Sequence, residues 1–262
     1  MKAVIGHDGS PAAAGASRMA ASLPWPADSE LHVVRVATSA HQTESDRADL
    51  AEAATTLAGE GRNVATALVT GRPATVLRDR AMELQADLLI LGARGLSPIR
   101  ELLLGSVSAE LIERAPCSVL VARGEGYERL VVGTDGSPAA TAMPRVICAW
   151  ELFRGSSALV IGVAADGHSD ADRPAHRELA LATRRLAARL DTCGLLTADE
   201  VRAGDPAEVL IDVAGHEAAD ILVVGPRGRS RVADLLLGSV ARKVVRHAPC
   251  SVLVVRDPAG IR

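Results

Sequence analysis

Glycine, serine and aspartate recur in this chain at spacings suited to holding a phosphate group. Gly92-Ala93-Arg94-Gly95 is followed after nine residues by Gly105-Ser106, and Gly225-Pro226-Arg227-Gly228 is followed after nine by Gly238-Ser239. Each set lies directly behind a short apolar run, Leu88–Leu91 or Ile221–Val224. Glycines between a strand and a helix let backbone N–H groups face an anion with no Cβ in the way. Ser106-Val107 and Ser239-Val240 then open helices, whose free N–H groups and positive dipole end attract negative charge. The same glycines would equally allow a tight turn, and the serines would equally serve as N-caps. Arg94 and Arg227, between the paired glycines, are either solvated loop residues or guanidinium partners for the same phosphates.

A second repeated stretch carries a carboxylate. Gly6-His7-Asp8-Gly9-Ser10-Pro11 matches Gly133-Thr134-Asp135-Gly136-Ser137-Pro138. An aspartate after a strand and before a helix caps or shapes a turn. It also offers two acceptor oxygens to a ligand that brings hydroxyl or amino donors.

These residues need a scaffold, and the chain spells one out twice. Residues 87–123 and 220–256 align without a gap, with 20 of the 37 positions identical, and both carry Ala-Pro-Cys-Ser-Val-Leu-Val near their ends. The early match is offset by 127 residues and the later ones by 133, so six extra residues fall in the first half of the second copy. A period this long reads as duplicated domains rather than a solenoid, with a boundary near Gly124-Glu125-Gly126 and domains 1–125 and 126–262.

Within the first copy, strands are expected at Ala3–Ile5, Leu31–Ala37, Val64–Val69, Leu88–Leu91 and Ser118–Val121. Helices are expected from Ser10-Pro11 to about Ser22, over 41–60, from Pro73 to about Gln85, and over Ser106–Arg114. The third helix should bury Val76, Leu77, Ala81 and Leu84, and the second Leu50, Ala53, Ala54 and Leu57. Alternation of this kind predicts an α/β fold, a five-stranded mainly parallel sheet with helices on both faces in each domain. Ligands of such sheets bind beyond the carboxyl ends of the strands, where Asp8, the end of the second strand near Val36 and the Gly92 loop should converge.

Composition narrows the function. The net charge of −3 advertises no polyanionic partner, and one Tyr, one Phe and two Trp give almost no stacking platform for nucleic acid. Cys117 and Cys250 occupy one repeat position and read as buried small hydrophobes in the last strand of each domain; no CxxC pair links the four cysteines. The seven histidines are scattered and suggest no metal site. No signal-peptide core and no run of membrane-spanning length is visible, which points to a soluble cytoplasmic protein. GxxxxGKS and GxxxxGKT are absent, and the first loop lacks the GxGxxG dinucleotide fingerprint.

The G-x2-G-x9-G-S pattern, the early Asp-Gly-Ser and the closing Pro-Cys-Ser-Val-Leu-Val together resemble the ATP-binding branch of the universal stress protein family, in its tandem two-domain form. The resemblance implies a fold like that of the adenine nucleotide alpha hydrolases, with the last strands, Ser118–Val121 and Ser251–Val255, meeting about a pseudo-two-fold axis. It implies ATP, with or without Mg2+, in each domain. Asp8 and Asp135 would contact the nucleoside, and Val36 and Val163 would wall the adenine. Gly92, Gly95, Gly105, Ser106 and Val107 would wrap the triphosphate, with Gly225, Gly228, Gly238, Ser239 and Val240 doing so in the second copy. Gly6 and Gly133 belong to the same expected sites, as do Arg94 and Arg227.

A histidine at position 7 is then expected to face solvent or the sugar, since no partner for catalysis is indicated. Pro226 removes an N–H that a phosphate would use, while Arg229 and Arg231 add positive charge beside that loop. The implied function is an ATP-occupied regulator in the stress response that acts through a protein partner, with further association into a homodimer open. A slow ATPase and an interaction module without nucleotide are the alternatives.

Overall fold

The computed structural model describes residues 1–37, 43–93, 95, 104–164, 174–228 and 237–257. By its internal contacts the chain divides into two compact units, Met1–Glu125 and Gly126–Arg262.

The first unit runs β1 (Lys2–His7), α1 (Pro11–Ser22), β2 (Ser29–Ala37), α2 (Glu44–Leu57), β3 (Arg62–Thr70), α3 (Pro73–Glu83), β4 (Leu88–Gly92), α4 (Ser106–Arg114) and β5 (Ser118–Ala122). The second repeats it as β6 (Arg129–Thr134), α5 (Pro138–Trp150), β7 (Ser157–Ala164), α6 (Pro174–Asp191), β8 (Leu196–Ala203), α7 (Pro206–His216), β9 (Ile221–Val224), α8 (Ser239–His247) and β10 (Ser251–Val254). Within each unit every strand pairing is parallel. The order is β3-β2-β1-β4-β5 in one and β8-β7-β6-β9-β10 in the other. The chain therefore reverses its winding between β1 and β4, and between β6 and β9, and a crevice opens at the carboxyl ends of those strands.

Sequence accounts for the elements locally. β4 and β5 are buried at every position, as strands covered on both faces must be, and they read as unbroken apolar runs. α1 and α5 start alike: Ser10 Oγ accepts from Ala13 N at 3.1 Å and Ser137 Oγ from Ala140 N at 3.3 Å, with proline at the first helical position. α2 opens with a reciprocal cap in which Thr43 and Asp46 satisfy each other's backbone N–H groups. The start of each central strand is pinned by an aspartate, Asp87 Oδ2 accepting from Lys2 N at 2.8 Å and Asp220 Oδ2 from Arg129 N at 2.9 Å.

The expected elements are found with ends shifted by a few residues. The buried stripe of α3 is Ala74, Leu77 and Ala81; Val76 and Leu84 lie at its half-exposed margin. In α2, Leu50, Ala53 and Leu57 are buried and Ala54 is half-buried. Cys117 and Cys250 are buried thiols just ahead of the last strands rather than within them.

One cross-link was not legible in the spacing. Cys148, near the end of α5, and Cys193, just beyond α6, form a disulfide across 45 residues of sequence. Closing a loop of that length restricts the unfolded chain by about 4 kcal/mol in the chain-entropy description. Unfolding the protein without reductant should therefore expose two alkylatable thiols per chain, and four after reduction. Cys148→Ser should lower the unfolding free energy of the second domain by up to about 4 kcal/mol and leave the first unchanged. Four thiols without reductant would remove the cross-link from the account.

Candidate functional site

The turn that carries each aspartate is built the same way in both domains. Ser10 N donates to Asp8 Oδ1 at 3.0 Å, and Ser137 N donates to Asp135 Oδ1 at 2.9 Å. Gly9 and Gly136 sit at φ of +79° and +71°, where a side chain would be strained. Gly9 N donates to His7 Nδ1 and Gly136 N to Thr134 Oγ1, each at 3.2 Å. Histidine and threonine thus do one job, which is to close the turn.

His7 is 8% exposed, so the expectation of a solvent-facing ring is corrected: burial and a backbone hydrogen bond hold it beside the cavity. The turn reading of the aspartates accounts for one carboxylate oxygen only. The other reaches under the glycine loop. A Cβ on Gly95 would collide with Asp8 Oδ2, and one on Gly228 with Asp135 Oδ2.

The loops close onto their helices by matched backbone bonds, Gly105 N to Ala93 O and Gly238 N to Pro226 O, both 2.8 Å. In the first domain Ser108 Oγ adds a bond to Gly92 O at 2.8 Å. Gly92 is required by packing, because its Cβ would lie 2.6 Å from the carbonyl oxygen of Ala12 in α1. No side chain caps α4 or α8, whose N-caps are Gly105 and Gly238, so their first-turn N–H groups are left to whatever occupies the cavity.

Pro226 has a different consequence from the one its missing N–H suggests. The aligned amide in the first domain, Ala93 N, donates to Ala122 O at 3.2 Å, inside the sheet. Proline there costs a strand contact, not an anion contact, and β9 is one residue shorter than β4.

In the first domain a cavity of about 550 Å3 gathers Gly6, Asp8, Val36, Gly92, Gly95, Gly105, Ser106 and Val107. In the second, a cavity of about 200 Å3 gathers Gly133, Asp135, Val163, Gly225, Arg227, Gly228, Gly238, Ser239 and Val240. Arg94, Arg229 and Arg231 lie outside the described residues. Gly6 and Gly133 serve a packing role as well: a Cβ on either would come within 2.7 Å of a leucine methyl, Leu91 or Leu210.

Sequence reasoning missed the far wall of the first cavity, formed by Arg35, Thr43 and Asp46. Arg35 Nε donates to Asp46 Oδ1 at 2.6 Å, and its Nη1 lies 3.0 Å from Asp49 Oδ2. The side chains of Arg35 and Asp46 are 11% and 13% exposed. Hydrogen bonds from Thr43, backbone first, and then the Arg35 guanidinium hold Asp46 down to about 2. No repeated motif marks these residues in the sequence.

Two parallel α/β domains, each with a glycine-lined crevice at its topological switch point, place the chain among tandem proteins of the doubly wound α/β type. The profile of the Universal stress protein family matches residues 1–123 and again 126–256. The chain belongs to that family. A universal stress protein of Mycobacterium tuberculosis is 29% identical over 188 residues, covering 66% of this chain and 63% of that protein. One from Methanocaldococcus jannaschii is 28% identical over 150 residues, covering 53% and 88%. The match thus spans somewhat under two thirds of the mycobacterial relative. The crystal structure of a universal stress protein from Archaeoglobus fulgidus superposes with a TM-score of 0.70 at 20% identity, covering 97% of this chain and 98% of that one. At this identity the likeness speaks for the fold.

His7 titrates below its ordinary value of 6.5, chiefly because burial disfavours its charged form, with Arg35 adding to the effect against Asp8. Its neutral form therefore stabilises the first domain fully above pH 6.5. That contribution fades as pH falls from 6.5 through the lowered folded value, a window in which Asp46 stays charged. NMR titration of the His7 ring should give a midpoint below 6.5, and His7→Thr should flatten the acid-side stability loss of the first domain. A midpoint at or above 6.5 would contradict the burial argument.

Proposed function

We propose that the chain is an ATP-binding regulatory protein of the stress response, with the nucleotide in the first domain's cavity. The observation that carries this reading is the convergence of Asp8, Val36, Gly92, Gly95 and Gly105 on a single open space. An interaction module that had given up its ligand would have packed that space with side chains. Its volume falls within the roughly 300–1,000 Å3 typical of small-molecule pockets.

In this reading the triphosphate lies against the uncapped N-terminus of α4 and the Gly92 and Gly95 backbone, where N–H donors and the helix dipole favour negative charge. Half-buried Val36 offers an apolar surface to the base, and Asp8 offers a carboxylate oxygen to nucleoside donors. Among the described residues no group of three or more His, Cys, Asp or Glu side chains is placed to hold a metal, so Mg2+ would arrive on the nucleotide's phosphates. Hydrolysis is not part of the proposal. The nearby His7 ring spends Nδ1 on the turn and is held neutral by burial, which leaves no poised general base there. Regulation would follow from the bound state altering contacts with a protein partner. No helix among the described residues is long and apolar enough to cross a membrane, in keeping with a cytoplasmic role.

The reading is tested by what the protein carries out of the cell. Protein purified without added nucleotide, then denatured, should release ATP that is identified by chromatography and mass. Gly105→Val puts a branched side chain at the N-cap of α4, where φ of −70° tolerates it, and should yield a folded chain whose first domain has lost its nucleotide. Unchanged ATP content in that folded variant would sink the assignment.

A further inference from the structure

The two copies differ most at the end of the cavity away from the glycine loop. Near the end of β2, Arg35 reaches to Asp46 and Asp49, and its side chain stands between the strand and α2. The aligned positions of the second domain, offset by 127 on the strand and 133 on the helix, are Gly162 and Leu179. An ion pair in one copy is a glycine and a leucine in the other. A Cβ on Gly162 would run into Thr183 Oγ1 and come within 3.2 Å of Leu179 Cγ, so α6 rests directly on β7.

The cavities record the result. Arg35, Thr43 and Asp46 line the first, whereas no described residue of α6 lines the second. Val36 is half-buried, but Val163, its counterpart, is 7% exposed. The second cavity, about 200 Å3, falls below the roughly 300–1,000 Å3 of pockets that enclose drug-sized ligands.

The glycine end survives. Gly225, Arg227, Gly228, Gly238 and Ser239 all line the second cavity, with Asp135 on the same wall. Gly238 has a φ of −64°, and an added Cβ there would lie no closer than 3.4 Å to any neighbour. Gly225 has the same 3.4 Å clearance. Neither backbone conformation nor packing asks for glycine at these places. What a Cβ would do is narrow the cradle in front of the uncapped α8 amides.

We propose that the two domains take different classes of ligand: the first a whole nucleotide, the second a small phosphate anion, inorganic phosphate or pyrophosphate, without a nucleoside. The first half of this statement rests on the nucleotide reading given above; the second rests on the geometry of Gly162, Val163, Leu179, Gly225, Arg227, Gly228, Gly238 and Ser239. The chain then carries one ATP, and the second domain reports phosphate or pyrophosphate independently of it.

The test is calorimetric titration of the full chain stripped of nucleotide. One ATP per chain is expected, lost in Gly105→Val and kept in Gly238→Val. On the ATP-saturated chain one pyrophosphate is expected, with affinity at least tenfold weaker in Gly238→Val. A second ATP that disappears in Gly238→Val overturns the proposal, and so does failure of pyrophosphate to bind the ATP-loaded chain. If no ATP binds at all, the nucleotide reading of the first domain fails, while pyrophosphate binding sensitive to Gly238→Val still decides the second domain. Copying the second domain's wall into the first, as Arg35→Gly with Asp46→Leu, should weaken ATP at least tenfold and leave pyrophosphate binding unchanged. Full ATP affinity in that variant removes the wall from the explanation. The stoichiometry of the unmodified chain is decisive even where a variant does not fold.

Discussion

The contact between an aspartate oxygen and a glycine with no side chain, Asp8 under Gly95 and Asp135 under Gly228, fixes much else in each domain. It ties the turn after the first strand to the loop after the fourth, across the point where the sheet reverses its winding. A Cβ at the glycine would collide with that oxygen, so either the carboxylate or the loop would have to shift. The turn is held from its other side as well, through Ser10 or Ser137 N and through the glycine at positive φ. The position of the α4 or α8 N-terminus follows, because the loop's backbone bond from Gly105 or Gly238 sets where each helix begins.

Around this constant centre the copies have drifted by exchanging pairs. Arg72 and Glu110 link α3 to α4 at 2.9 Å; the aligned residues, Asp205 and Lys243, link α7 to α8 at 3.2 Å with the charges reversed. Surface pairs of this kind contribute little to stability, so the swap is a cheap exchange that preserves helix packing. The exchange of Arg35 and Asp46 for Gly162 and Leu179 is of another order. It replaces a charged spacer with direct helix-on-strand packing, and it alters the shape of a cavity rather than the decoration of a surface.

The fold was almost fully legible in the sequence, since parallel strands buried on both faces and proline-started helices leave strong local signatures. The glycines stood out for a related reason: a repeat kept at fixed spacing picks out the residues that both copies share. The rest depended on contacts between elements. Arg35, Asp46 and Asp49 look like ordinary surface charges until β2 and α2 are brought together. His7 reads as facing solvent or a sugar until its ring nitrogen is seen closing a turn. Pro226 looks like a lost anion contact until the matching amide, Ala93 N, is found inside the sheet. The deeper burial of Val163 than of Val36 could not be inferred from two valines at one repeat position.

The cross-link between Cys148 and Cys193 distinguishes the domains in a further way, which concerns the chain as a thread. A processive unfolding machine that pulls the first domain receives a single strand throughout, with no internal tie among its described residues. When it reaches the second, 45 residues of sequence separation are held in a covalent loop, which withholds about 150 Å of contour length. The pore must then pass two strands side by side or stall until a thiol opens the loop. Turnover of the chain is in this sense polar: one end is released on demand, and the other only by a two-strand passage or where reducing equivalents are at hand.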